Sequence, residues 1–527
     1  MLVWLAAMAL FFRKHILSGF DQGFSDRADG IIEVAILEHW RNVWSGAAAW
    51  NVTGYFHPYP GTLGYNDGYF LYGLSYTFWR LFADPLLADT LNLATFKSIG
   101  FFAAYMLVAR TLRWGRGAAL FVAFVFTDAN GLMIQAGHAQ LQSVALLPVA
   151  MLLAVAVVRA GSVRAACVAS AALGLLMAAW LFTAFYMAWF TIFFGCVMAG
   201  CWLVTSGNWR PRRAMRLFAR HHRTVEAGAL PFLIALVPFF AVYLPKMRET
   251  GGQALNEIYY YLLFPIDAIN VGASNYVWGW LIRSFPSVLL TGEHVTGFPL
   301  LMFALGVTAL WRCVARGSPP LRAFALAVIL CWLLTLRVGE YSGWALVYHL
   351  VPGAKGLRVV ARFQLFLILP LLLVVVAAHH ARAAHWARTR PLLLAGVVLF
   401  LVAEQIGSDV PVALSRSRDG AALAAVPAPP RECQSFYVVT ARRHEPVYVD
   451  AARHGMYPHN VDAMLLAQFW RVPTLNGYST FTPRDWVFAN PRAGDYDARV
   501  AAYAVRHGLS HVCRLDMEQP QPWTRVL

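Results

Sequence analysis

Apolar runs roughly a bilayer's width long alternate with short arginine-rich breaks along most of this chain. The runs stand near residues 1–17, 91–109, 117–133, 143–159, 164–181, 184–205, 225–244, 297–311, 321–336, 363–379 and 391–407. A crossing needs ~20 apolar residues, so the pattern predicts about eleven transmembrane helices. The breaks at 110–116, 159–164, 206–224, 312–322 and 380–391 carry the arginines, six of which (Arg210, Arg212, Arg213, Arg216, Arg220 and Arg223) share one break. The positive-inside rule places these breaks in the cytoplasm. The connections 18–90, 246–296 and 337–362, and the tail from 408, then face outward. Arg13 and Lys14 disturb the pattern at the outer end of the first run, which leaves about a dozen apolar residues before them, short of a full span. A short helix and a truncated start both fit. No small-residue cleavage site follows, so this run is expected to stay rather than be removed as a signal peptide.

Two apolar stretches of the first outward loop are too short to cross and would break the parity. Ile31–Trp44 and Tyr69–Phe82 are expected to be helices lying flat on the membrane surface. In the first, Ile32, Ile36, Trp40 and Val43 share a face, and Glu33, Glu38, Arg41 and Asn42 lie mostly elsewhere. From Ser408 the apolar runs stop. An Ala/Pro-rich linker gives way to SFYVVT and PVYVD, which read as strands, then to YDARVAAYAVRHG, which reads as a helix, and to a strand through HVCRL. The expected organisation is a membrane domain over 1–407 with its large first outer loop at 18–90, a linker at 408–430 and a small α/β domain over 431–527 on the outer, periplasmic side. Roughly 100 residues is near the lower limit for independent stability, so this domain should lean on the membrane domain.

Composition agrees with the pattern: 59% hydrophobic residues, 13% charged and a mean hydropathy of +0.53 belong to a polytopic membrane protein. The net charge of +16 sits in the short loops and does not form a nucleic-acid footprint. Cys167, Cys196, Cys201, Cys313 and Cys331 fall in or beside helices, where thiols pack. Cys433 and Cys513 both fall in the outward tail, where an oxidising compartment permits a disulfide. No CxxC, HExxH, P-loop or GxGxxG occurs.

Candidate chemistry concentrates in the first outer loop. Asp21, Asp26, Asp29, Glu33 and Glu38 crowd carboxylates into a short span beside the membrane. Asp26 and Asp29 stand where a base would meet an acceptor hydroxyl at headgroup height; Asp29 is equally placed to cap the helix that follows. Asp67 has the same two readings for the second flat helix. His57, in His-Pro-Tyr, fits a phosphate or sugar contact or simple packing. Gln135, His138 and Gln142 are spaced to share one helical face; ligand binding and helix–helix hydrogen bonding both suit them. Arg358 and Arg362 share a face at the outer mouth of a span, where guanidinium groups suit a phosphate. The aromatic and polar run QFWRVPTLNGYSTFTPRDW suits either a sugar- or lipid-facing loop or a docking loop.

These residues together resemble the GT-C-type integral membrane glycosyltransferases of bacteria. The resemblance rests on Asp26 and Asp29, on Glu38-His39-Trp40, on Phe56-His57-Pro58 and Asn66-Asp67, and on His138 to Gln142. It rests also on Pro352-Gly353 with Arg358 and Arg362, and on Asn476 to Ser479 with Tyr478. It implies a many-helix bundle that takes a sugar from a polyprenyl-phosphate carrier and passes it to a glycan or lipid acceptor outside the cytoplasmic membrane. By that resemblance Asp29 or Asp26 is the base, Arg358 and Arg362 hold the donor phosphate, and Glu38, His39, His57, Asp67, His138, Gln142, Asn476 and Tyr478 line the substrate site. Ile31 stands where the family pattern places an arginine. A divalent metal, Mg or Mn, stays open, because no ligand spacing is diagnostic. A transporter or flippase, or an inactive scaffold for lipid-linked sugars, are the rival readings.

Overall fold

Helices stand at every one of the apolar runs. The structure, a computed structural model, describes residues 1–207, 211–285, 292–439, 458–491 and 493–526. Among these, six helices are long and apolar enough to cross a membrane: Pro85–Leu112, Arg116–Gly137, Ala139–Arg159, Val163–Leu181, Phe185–Thr205 and Val360–Thr389. A seventh crossing results if Ala219–Ala235 and Val237–Thr250, bent by 55° at their junction, count as one. Pro238, just past the junction, lacks the N–H that would continue the ladder. Leu2–Phe11, Pro319–Thr335 and Pro391–Ala403 are apolar but shorter. The chain is a multi-pass helical membrane protein with fewer full-length spans than the apolar runs suggested.

The hub is the helix Phe363–Thr389, which is apolar on all sides from Leu365 through Val376 and buried on all sides there. Leu300–Arg316, Pro319–Thr335, Arg116–Thr127 and Phe185–Thr205 pack around it. Arg362 stands immediately before its first turn, at one end of the bundle.

The first-loop helix, Asp29–Trp44, differs from the surface helix expected. It is buried on nearly every side rather than lying with one face in lipid. Phe70–Trp79 and Pro85–Met106 cover part of it, and Pro458–Trp470 from the tail covers the remainder. The polar residues meant for water find partners in these neighbours. Glu38 accepts from Tyr76 Oη at 2.8 Å, from Arg41 at 3.1 Å and from Arg80. Asn42 donates to the Gln468 carbonyl at 2.9 Å. Gly73 permits the close crossing of Phe70–Trp79, because a Cβ there would lie 2.5 Å from Trp40 Cγ. Gly73→Val is expected to lower stability by about 1–3 kcal/mol through overpacking. Thermal unfolding in detergent checks this against Leu74→Val, whose side chain is exposed on the same helix and should leave the transition in place.

The tail forms a three-stranded sheet in which Ser435–Val438 runs parallel to Val512–Leu515, itself antiparallel to Trp523–Arg525. Tyr496–Arg506 is the expected helix; the strand expected at PVYVD lies outside the described residues. Cys433 and Cys513 form a disulfide. The linker is not free: Leu414–Ser415 pairs with Gln22–Gly23 of the first loop. The first loop and the tail interlock further. Phe56 N–H donates to the Asn476 carbonyl at 3.0 Å, His57 N–H to that of Thr474 at 3.0 Å, and Thr474 N–H to that of Gly54 at 2.8 Å. Gly477 belongs to this seam, since a Cβ would meet the Phe56 ring at 2.5 Å.

Candidate functional site

At one end of the bundle the chain brings together four segments distant in sequence, around residues 29, 138, 293 and 362. The turn before the first-loop helix presents Asp26 and Asp29. Asp26 Oδ1 accepts the N–H groups of Ala28 at 2.7 Å and Asp29 at 2.9 Å, so Asp26 caps the helix start and Asp29 does not. Asp29 is thereby released toward the recess, its side chain half exposed and its Oδ2 3.4 Å from His138 Nδ1. His138 sits on a break between two short helical pieces rather than on one helical face with Gln142. The break turns its ring between two carboxylates, with Nε2 3.8 Å from Glu293 Oε1. Glu293 in turn clasps the buried guanidinium of Arg362, with Nε at 3.0 Å and Nη2 at 2.8 Å. Tyr186 lies beneath, its ring 5.5 Å from that guanidinium, and Tyr69 Oη donates to Gln140 at 3.0 Å near Asp29.

The electrostatics of this recess favour a base. Enclosure by protein raises the Asp29 carboxyl above its ordinary range, His138 partly opposes this, and Asp26 adds to it. Burial lowers His138, and Arg362 lowers it further against the pull of Glu293 and Asp29. Burial alone would raise Glu293, but Arg362 and His138 outweigh it and hold it low. A base must be ionised to work. Activity should therefore fall on acidification through a pKa above the ~3.9 of an ordinary aspartate. Glu293→Gln removes a charge that raises Asp29 and loosens Arg362, which lowers it, so the acidic limb of kcat/KM should move to lower pH. An acidic limb near 4 in both proteins would show that Asp29 is not the group that titrates.

The other expected residues are placed elsewhere. Glu38 is consumed by its pairing with Arg80, Tyr76 and Arg41. His39 is buried, with Nε2 3.0 Å from the Trp50 carbonyl. His57 lies in the seam with the tail, where Tyr503 Oη donates to its carbonyl at 3.0 Å. Gln142 is buried and donates to the carbonyls of Leu132 and Gln135. Asn476 is buried inside the tail, bonded to Asn460 at 2.8 Å and to Val438 N–H at 2.7 Å. Tyr478 follows it, with its N–H on Met464 Sδ. For His57 and Asn476 the cause is the seam between loop and tail, a pairing that neither segment's own pattern displays. Asp67 does cap a helix, but a distant one, accepting from Phe185 N–H at 3.0 Å. Arg358 and Arg362 do not share a helical face, since the helix begins only after Arg362. Arg358 instead reaches Glu257, at 4.0 Å, and the Tyr261 ring. Among the described residues no group of three or more His, Cys, Asp and Glu side chains is arranged to hold a metal ion.

Glu293, Tyr69 and Tyr186 were not anticipated. Glu293 had one legible signal: it is the sole carboxylate between Asp267 and Glu340, just before an apolar run.

The chain is similar to a number of solved structures, among them these two. One is the Archaeoglobus fulgidus oligosaccharyltransferase in complex with zinc and sulfate, at 12% identity over 97% of this chain and 67% of that one, with a TM-score of 0.49. The other is ArnT from Cupriavidus metallidurans in the apo state, at 13% identity over 98% of this chain and 91% of that one, with a TM-score of 0.47. No protein-family model and no curated protein sequence matches the chain.

Proposed function

We propose that the chain is a GT-C-type glycosyltransferase of the bacterial cytoplasmic membrane. It moves a sugar from a polyprenyl-phosphate carrier to a glycan or lipid acceptor on the outer face. The observation that carries this reading is one cluster holding a half-exposed carboxylate, Asp29, and, across His138 and Glu293, the guanidinium of Arg362. An acceptor hydroxyl gives its proton to Asp29 as its oxygen attacks the anomeric carbon. The bond from that carbon to the phosphate oxygen breaks, and its electron pair leaves on the carrier phosphate with inversion. Arg362 meets the charge that develops there, with Glu293 yielding part of its clasp. The test is release of carrier phosphate from radiolabelled polyprenyl-phosphate hexoses by the purified full chain. Release with at least one donor supports the reading, and none with any donor sinks it.

One observation favours a second reading, translocation of lipid-linked sugars. Lys97 is buried within the helix Pro85–Leu112, donates to the Thr127 carbonyl at 3.1 Å and stands 3.9 Å from the Phe11 ring. Neither carboxylate oxygen of the neighbouring buried Asp128 finds a hydrogen-bond partner among the described residues. Charged groups inside apolar helices are what a translocation path requires. Under this reading Lys97→Met abolishes transbilayer movement of a fluorescent polyprenyl-phosphate sugar in proteoliposomes; unchanged movement discards it.

A further inference from the structure

A cavity of about 500 Å³ lies behind the first-loop helix, where the helix Pro85–Met106, the linker and the tail meet. Its size is within the ~300–1,000 Å³ of small-molecule pockets. Ile31, Leu86, Leu423, Leu465 and Phe469 make an apolar wall. The polar groups at its rim are already satisfied by one another. Arg416 donates Nε to Asp84 Oδ2 at 2.9 Å and Nη1 to the Phe20 carbonyl at 2.9 Å. Asp21 accepts from Ser417 N–H at 2.8 Å and Ser415 Oγ at 2.9 Å. The interior therefore offers apolar surface and asks for no polar partner.

The chain beside the lining residues says what fills it. Gly19 follows Leu17, which is 85% exposed, and Asp84 follows Leu81 and Phe82, which are 72% and 73% exposed. Pro85 opens a helix long enough to cross a membrane. The mouth is thus flanked by bare apolar side chains at the level where a span begins, the boundary of headgroups and acyl chains. Ile31 stands two residues after Asp29 and so about 200° around the helix. The cavity lies on the face of that helix away from the Asp29 recess, and a carrier seated at Arg362 would not fill it.

We propose that this cavity is a lipid site that takes one acyl chain of a bilayer phospholipid, with the headgroup left outside at the Arg416–Asp84 rim. The linker and the tail helix Pro458–Trp470 supply half its wall, so the bound chain joins the outer domain to the bilayer.

The test uses the full chain in nanodiscs containing phosphatidylglycerol with a diazirine on the acyl chain, followed by photolysis and peptide mapping. Label is expected on the peptides holding Leu423 and Phe469. Ala421→Trp, which fills the cavity, should reduce that label about tenfold, as expected for an overpacked pocket. Label on the exposed Leu392 should stay constant. If the variant does not fold, wild-type protein decides: excess unlabelled phosphatidylglycerol should remove the cavity label and undecaprenyl phosphate should not. Label confined to membrane-facing peptides overturns the site, and competition by the polyprenyl lipid alone overturns the acyl-chain assignment. Neither outcome touches carrier-phosphate release, which tests the Asp29 recess separately.

Discussion

Asp29→Asn should cut carrier-phosphate release by about two to four orders of magnitude, the usual contribution of a positioned base, while leaving the fold unchanged. Both halves of that expectation come from the geometry. The Asp29 carboxylate has one close neighbour, His138 at 3.4 Å, and half its side chain meets water. Little structure hangs on it, and asparagine keeps its shape while removing the basic oxygen. Asp26 behaves in the opposite way. Its Oδ1 holds two backbone N–H groups at the helix start. Asp26→Asn preserves the cap and should retain most activity; Asp26→Ala should cost about 1 kcal/mol of stability. The pair of aspartates that sequence alone leaves as rivals is separated by measuring activity and unfolding on the same three variants. Equal loss of activity in Asp26→Asn and Asp29→Asn would remove the distinction, and full activity in Asp29→Asn would remove the base.

Arg27→Met should destabilise the protein by about 3–5 kcal/mol, the cost of stranding a buried partner charge. Arg27 is nearly inaccessible, with Nη2 2.5 Å and 2.6 Å from the two oxygens of Asp462, which is fully buried, and Nη1 3.4 Å from Asp419. One guanidinium therefore ties the first loop to both the linker and the tail helix. Without it two carboxylates remain in a site with little water. The tail should loosen from the loop, seen as a lower unfolding temperature and faster proteolysis near residues 416–430. Arg27→Met combined with Asp462→Leu removes both members of the closest pair and should recover much of the loss. A single variant within about half a kcal/mol of wild type, the range of ordinary surface substitutions, would mean that the tail is held by its backbone seam and apolar packing.

Legibility of the site followed the range of the interactions. Asp29 and Arg362 could be proposed from sequence because their residue types and their places beside apolar runs are local facts. The sequence offered the cap to Asp29, whereas backbone geometry gives the two N–H groups before the helix to Asp26. Glu38, His39 and Asn476 were misplaced for a common reason: a polar residue in a loop reads as available until a second segment covers it. The broken helix around His138 illustrates the same limit. Spacing of three and four presumes a continuous helix, and the chain there bends between short turns.

The sequence by itself determined that the chain is a multi-pass helical membrane protein and where its apolar helices stand. Apolar run length, arginine placement and strand or helix periodicity are properties of contiguous residues, and burial in lipid or in a local core acts on them directly. The tertiary structure alone decided that the first-loop helix is sandwiched rather than laid on the membrane. It alone decided that Glu293 meets Arg362 across 69 residues, and that the linker closes a cavity. Those outcomes depend on which distant surfaces satisfy one another's charges and apolar faces, and no periodicity in either partner encodes the match.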